Sequence, residues 1–289
     1  PVAANRVVND KIRYVIGPVC SGAAIAAAPI YNNEGVVVIT PSATSPALTE
    51  GKNFHFIFRT IGRDDQQGPA AAKFIINKAK PKKVAVLHDK QSYGQGIAAS
   101  VRDELKKANV EVALFEGINA GDSDYSAVIT KLKSAGADFV YYGGYHPEMG
   151  LLLRQAAEQG LKVRMMGPEG VGNPEINAIA GNAVEGMLVT LPADPAAKPE
   201  NAALVKAFKD KGRDPSGAFQ MGAYTATQVL AQSIKAVGDD AEKVADYLHK
   251  TTFNMPSGNV AWDAKGDLKA FDFPVYSWHK DGSKSVAEK

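Results

Sequence analysis

The chain has 289 residues, with 33 Lys+Arg against 31 Asp+Glu, 45% hydrophobic residues and one Cys. That balance describes a globular chain long enough for two domains, and it excludes disorder, a collagenous repeat and a disulfide scaffold. The formal charge of +2 is dispersed, its densest basic cluster being Lys80, Lys82 and Lys83, so nucleic acid is not an expected partner.

No window holds the ~18 consecutive apolar residues of a membrane span. Even the Ala-rich stretch before Tyr31 ends at Asn32, Asn33 and Glu34, so no direct membrane insertion is expected. The chain opens in mid-pattern: Val2, Ala3, Val7 and Val8 share a helical face opposite Asn5, Arg6, Asn9 and Asp10. There is no signal-peptide pattern and no cap before this helix, which leads to the expectation that the front of the protein is missing.

The elements then alternate. An apolar strand over residues 13–19 leads into a helix over 23–33 closed by Gly35, and a second strand over 36–40 leads to Pro41, Ser42, Ala43 and Thr44. Helices over 66–80, 94–108, 125–134 and 148–159 alternate with strands over 84–88, 110–116, 139–142 and 163–166. A short helix near 175–180 and a strand over 186–191 follow, then mostly helix from 199 to 247 and a last strand over 271–278. Continuously apolar strands alternating with helices indicate an α/β fold with parallel sheets buried on both faces. Only two clear strands precede Arg59, against five over 74–191, so the first sheet reads as about two strands short of a domain of ~100–150 residues.

Enzymatic motifs fail. There is no nucleophile elbow, no Walker loop and no His-Glu-x-x-His, and Gly94-Gln95-Gly96 lacks the third glycine of a dinucleotide fingerprint. The histidines at 55, 88, 146, 249 and 279 never fall at i, i+4, and Cys20 has no partner for a Cys-x-x-Cys site, so neither metal nor cofactor is expected. His88 ends a strand where a general base could sit, but with no nucleophile beside it a packed, hydrogen-bonded ring is the simpler reading.

Ligands of open α/β sheets bind at the C-terminal ends of the strands, so those loops carry the functional argument. Cys20-Ser21-Gly22 and Ser42-Ala43-Thr44 bring hydroxyls and backbone N–H groups to a helix start, which suits a carboxylate. Ser21 taken alone reads first as an ordinary helix cap. The later loops present Tyr93, Tyr145 and, in Gly167-Pro168-Glu169-Gly170, one acid among glycines. Glu169 is either a counter-ion for an ammonium group or an exposed turn acid. Anion donors on one set of loops, with an acid and aromatics on another, describe a site for a small zwitterion such as an amino acid.

These same residues closely resemble the periplasmic branched-chain amino-acid-binding proteins of ABC importers. The resemblance runs through Ile39-Thr40-Pro41-Ser42-Ala43-Thr44, His88-Asp89-Lys90-Gln91, the long run from Tyr141 to Gly150, Gly167-Pro168-Glu169-Gly170, Asp214 to Phe219, and Trp262-Asp263 with Lys265-Gly266-Asp267. It covers essentially the whole chain. It implies a periplasmic binding protein type I fold, two Rossmann-like lobes joined by three hinge crossovers that close on a ligand in the interlobe cleft. On that pattern lobe one is 1–62 plus 192–272, lacking its N-terminal βα unit, and lobe two is 63–191 plus 273–289.

Carried over residue by residue, the resemblance gives the ligand's carboxylate to Ser21 and Thr44 with the neighbouring backbone of Ala43. It gives the ammonium to Glu169, beside Gly170, with the backbone carbonyl of Ser42, and the side-chain pocket to Val19, Cys20, Tyr93, Tyr145 and Phe219. Gly22, Ala23 and Ala24 depart from it, since relatives often carry further Ser and Thr there. The absent N-terminal piece is implied to bring a pocket aromatic and a Cys that pairs with Cys20. The expected function is capture of leucine, isoleucine or valine by a periplasmic monomer and delivery to an importer's membrane permease, without catalysis. The same fold tuned to another amino acid or amide, for transport or sensing, is the alternative, and a nucleotide-dependent enzyme is a distant third.

Overall fold

The structure is a computed structural model that describes residues 1–287. It divides into two compact units, residues 1–63 with 193–272 and residues 64–192 with 273–289.

The first unit begins with α1 (Val2–Asn9), β1 (Tyr14–Ile16), α2 (Ser21–Asn33), β2 (Val37–Thr40) and β3 (Ile57–Arg59). The three strands form one parallel sheet in the order β1-β2-β3, with β2 fully buried. β3 was not anticipated from the sequence, because Arg59 interrupts what would otherwise read as an apolar run.

The second unit takes up the chain with α3 (Asp64–Phe74), which continues as a π-helical turn over Ile75–Ala79. Then come β4 (Val84–His88), α4 (Ser92–Lys107), β5 (Val112–Gly117), α5 (Ser126–Ala135), β6 (Phe139–Gly143) and α6 (His146–Glu158). β7 (Arg164–Gly167), α7 (Ile176–Ala180) and β8 (Met187–Thr190) complete this stretch.

The chain returns to the first unit for α8 (Ala202–Lys209), α9 (Gln220–Val237), α10 (Ala241–Lys250) and an antiparallel ribbon of β9 (Phe253–Met255) and β10 (Gly258–Val260). It ends in the second unit with β11 (Val275–Trp278) and β12 (Lys284–Val286). That unit's sheet runs β12-β11-β8-β7-β6-β4-β5, parallel from β8 to β5 and antiparallel at β11 and β12. The ribbon and β12 also escaped the sequence reading: each strand is only three residues long and partly polar.

Period-two alternation sorts the second sheet's side chains onto two faces. Val84, Val86, Phe139, Tyr141, Met166 and Leu188 form one face, and α3 and α4 cover it with Ala71, Ala72, Ile75, Ile97, Val101 and Leu105. The strand ends meet tightly. A Cβ on Gly143 would overlap the backbone oxygen of Gly94, so glycine at both positions is what lets the loop after β6 lie on the start of α4. Among the described residues, no helix is long and apolar enough to cross a membrane.

In the first unit, α9 and α10 pack on β2 and β3 through Ala226, Val229, Val244, Ala245 and Leu248, together with Trp262. α2 packs with α1 through Ala4, Ala24, Ala27, Ala28 and Tyr31. Within this core lies a fully buried Arg59. Its Nε is 2.7 Å from Asp267 Oδ1, and its terminal nitrogens donate to Ala43 O (2.8 Å), Ser45 O (3.2 Å) and Thr49 Oγ1 (2.8 Å). Asp267 also meets Arg63 at 2.6 Å and accepts from Thr49 Oγ1 at 2.9 Å. Gly266, at φ +81°, makes the turn that brings Asp267 in, and its own Cβ position is blocked by Ile57 O.

Two stability predictions follow from these contacts. Arg59→Met leaves Asp267 buried beside a single guanidinium and should lower unfolding free energy by about 3–5 kcal/mol. Adding Asp267→Leu should recover part of that loss in denaturant titrations, whereas a double variant no more stable than Arg59→Met would contradict the pairing. Gly143→Ala should cost about 1–3 kcal/mol by overpacking, read as a shift in denaturant midpoint at unchanged slope.

Candidate functional site

Each unit concentrates its polar groups at the C-terminal ends of its parallel strands, where side chains and backbone emerge from the sheet together. In the first unit two loops are stitched to each other. Thr40 Oγ1, at the end of β2, donates to Pro18 O at 2.7 Å and accepts the Ala43 N–H at 3.0 Å. Ser42 Oγ donates to Val19 O at 3.0 Å, and Ser21 Oγ accepts the Ser45 N–H at 3.3 Å.

Ser21 is therefore not the cap of α2: Cys20 holds that position without a side-chain cap bond, and the Ser21 hydroxyl faces the neighbouring loop. The first intrahelical acceptor is Cys20 O, taken by Ala24 at 3.0 Å, so the N–H groups of Ser21, Gly22 and Ala23 have no helical carbonyl behind them. With the helix dipole they make an anion-attracting end.

Ser21, Ser42, Ala43 and Thr44 are all buried here, while Val19 and Cys20 are exposed and Cys20 is a free thiol. Phe219, partly exposed, directly precedes α9. The first turn of α9 is tied to the same region, since Gly222 O accepts from Thr60 Oγ1 at 2.9 Å and Gly222 packs on Pro41. The structure thus brings all seven first-unit candidates to the loops at one end of this sheet.

In the second unit the adjacent order β7-β6-β4 brings three strand-end loops side by side. The Tyr93 and Tyr145 rings lie 5.2 Å apart at 41°, and Tyr93 Oη accepts the Gly170 N–H at 3.1 Å. A Cβ on Gly170 would stand 2.7 Å from Gly144 O, so a side chain there would push the loops apart.

Glu169 is 2% exposed, which excludes the exposed turn acid. Gln67, fully buried on α3, holds it: the amide Nε2 donates to Glu169 Oε2, while Gln67 Oε1 accepts the Glu169 N–H at 3.4 Å and the Thr190 hydroxyl at 2.8 Å. Burial holds the Tyr93 phenol well above its ordinary range, and the charges of Glu169 and Asp64 add to the effect. Tyr141 is raised in the same way. Both rings therefore stay neutral hydroxyls beside the carboxylate.

Gln67 and Thr190 were not singled out from the sequence. The available signal was phase, for Gln67 shares a helical stripe with buried Ala71 and Ile75, next to buried Asp64. His88 proves to be packed. Its Nδ1 accepts the Lys90 N–H at 3.1 Å, its ring tilts on Phe115 at 5.2 Å, and burial with nearby Lys90 and Arg102 lowers its pKa.

A family model described as periplasmic binding protein matches residues 2–283. The leucine-, isoleucine-, valine-, threonine-, and alanine-binding protein of Pseudomonas aeruginosa is 56% identical over 283 residues, covering 98% of this chain and 76% of that protein. The Leu/Ile/Val-binding protein of Escherichia coli is 49% identical over 285 residues, 99% of this chain and 77% of that one. Among solved structures, the leucine binding protein LivK of Thermotoga maritima aligns with a TM-score of 0.91 at 31% identity, over 99% of this chain and 82% of that chain. The chain belongs to the periplasmic binding protein family, a family of solute-binding proteins rather than a class of enzymes.

Proposed function

We propose that the chain captures branched-chain amino acids, leucine, isoleucine or valine, and delivers them to the membrane permease of an ABC importer. The observation that carries this reading is Glu169, a buried carboxylate oriented by a neutral amide beside neutral phenols. Gln67 aligns the carboxylate without cancelling its charge, which suits an ammonium partner. The α2 end with the Ser21 and Thr44 loops suits a carboxylate. A zwitterion needs both kinds of group, and the chain carries both.

The candidates for the side-chain pocket are apolar, aromatic or a thiol: Val19, Cys20, Tyr93, Tyr145 and Phe219. They favour an aliphatic side chain over a charged one. At about 0.8 kcal/mol per buried methylene, leucine's three extra carbons favour it over alanine by about 2.4 kcal/mol, roughly 50-fold in affinity. A titration series with leucine, valine and alanine measures this, and equal affinities would contradict an apolar subsite. The protein is read as a periplasmic monomer that binds without turnover and has no nucleic-acid partner, in keeping with its dispersed charge of +2.

Calorimetry on two positions tests the clamp. Truncating Glu169 to Ala removes one member of a desolvated pair and should cost about 2–5 kcal/mol, a loss of roughly 30-fold or more in leucine affinity. Glu169→Gln should also bind weakly. Glu175→Ala should be nearly silent, since Glu175 is exposed and, among the described residues, its side chain meets His146 alone, at 3.2 Å. Near-wild-type binding by a folded Glu169→Ala variant would remove the centre of the proposed site.

Gln67→Leu keeps the carboxylate but releases its orientation. An expected loss of about 1–3 kcal/mol should appear in leucine affinity as well as in the melt. A change in the melt alone would make Gln67 structural only.

A further inference from the structure

We propose that His55, Glu242 and Asp246, on the first unit's surface, form a binding site for a divalent transition-metal ion, with Zn2+ the best match. His55 lies just before β3, and Glu242 and Asp246 lie four residues apart on one face of α10. One ligand atom from each converges, all within 4.8 Å of one another. None of the three belongs to the strand-end loops described above.

The distances favour coordination over pairing. His55 Nε2 is closed off from solvent and makes no hydrogen bond among the described residues. It stands 3.4 Å from Glu242 Oε1 and 3.5 Å from Asp246 Oδ1. A ring bonded to one carboxylate would draw a single oxygen to about 2.7–2.9 Å. Near-equal spacing from two oxygens instead resembles an edge of a tetrahedron, which is about 3.3–3.4 Å for metal–ligand bonds of about 2.0–2.1 Å. One imidazole with two carboxylates is a borderline donor set that suits Zn2+ and neighbouring first-row ions over Mg2+ or Ca2+.

The ligands are also held in place. The His55 ring stacks on His249 at 5.1 Å and 23° and meets Phe56 edge-on at 4.9 Å. Its backbone N–H donates to Asn32 Oδ1 at 2.8 Å, and its carbonyl lies 3.0 Å from His249 Nε2. α10 is capped by Asp240, whose Oδ1 accepts the Lys243 N–H at 3.1 Å, and anchored by buried Val244, Ala245 and Leu248. Lys250 sits 3.4 Å from Asp246 Oδ2, on the carboxylate oxygen turned away from His55. The site therefore needs little ordering when an ion arrives.

The test is calorimetric titration of ZnCl2 into chelator-treated, tag-free protein, with MgCl2 and CaCl2 as comparison ions. Wild type should take up one Zn2+ per chain saturably and melt at a higher temperature with Zn2+ than without, whereas Mg2+ and Ca2+ should give no saturable heat. His55→Gln and Asp246→Asn should each weaken Zn2+ binding at least tenfold, the lower end of what even the loss of an outer-shell partner costs. Their melts without metal should match wild type. His146→Gln, which alters the separate pair with Glu175, should leave Zn2+ binding unchanged. The proposal is overturned if wild type shows no saturable Zn2+ uptake, or if His55→Gln and Asp246→Asn retain wild-type affinity.

Discussion

The first unit depends on one buried charge. Arg59 is wholly removed from water, and a guanidinium there is tolerable only if nearly every donor finds an oxygen. Asp267, Thr49 and the carbonyls of Ala43 and Ser45 meet that requirement. The two carbonyls bear on the proposed site, because they belong to the loop that follows β2. Fixing them from behind fixes the direction in which Thr44 and the facing Ser21 loop present themselves. Arg59 has no exposed surface of its own, yet the loop's shape follows from where its donors point. Its backbone is tied as well: the Arg59 N–H donates to Gly266 O at 3.1 Å and its carbonyl accepts from Trp262 Nε1 at 2.7 Å. The segment around Trp262 thus covers the free edge of β3 while delivering Asp267, so one stretch of chain closes the sheet and neutralises its buried arginine.

The second unit positions its loops by crowding. Gly94 against Gly143, and Gly170 against Gly144 and Tyr93, are approaches that no side chain would permit. Backbone contacts of this kind leave few alternative loop conformations. Only then does a polar clamp become sufficient, with Gln67 reaching from α3 to Thr190 on β8 and to Glu169 beyond β7. The contrast has a physical basis. A short sheet of three strands supplies little backbone to pack against and relies on a charge network, whereas five parallel strands bring several loop starts within contact of one another.

Much of the second unit was legible because its strands are continuously apolar. The run at residues 84–88 coincides with β4, and the loops of interest follow directly from strand ends. Legibility failed where a residue's partner lies far away in sequence. β3 was hidden by Arg59, whose partner Asp267 is about two hundred positions later, and nothing local marks either residue as buried. The same holds for Gln67 with Glu169. Ser21 misled in the opposite way: local rules make a serine before a helix a cap, but the Ser45 N–H, supplied by the adjacent loop, takes its hydroxyl. The spacing between histidines says nothing of His55's neighbours Glu242 and Asp246, which are carboxylates on a helix nearly two hundred residues away.

Three carboxylate environments in this chain show how the fold assigns different work to one functional group. Asp267 is met by two guanidiniums and a hydroxyl, so its charge is consumed in holding structure. Glu242 and Asp246 stand at a helix surface where solvent moderates their repulsion, and an imidazole wedged between them gives the cluster its geometry. Glu169 lies between these extremes. It is as buried as Asp267, yet the partner that orients it in the second unit is an amide, and the phenol of Tyr93 stays protonated near it. Low dielectric strengthens whatever charge pairing such a carboxylate makes and raises the cost of losing it. The Gln67 amide fixes direction without itself neutralising the carboxylate, and in the proposed site such a group would discriminate between an ammonium and its uncharged analogue. In the proposed site a buried, amide-held glutamate would therefore supply that discrimination together with the affinity lost on its truncation.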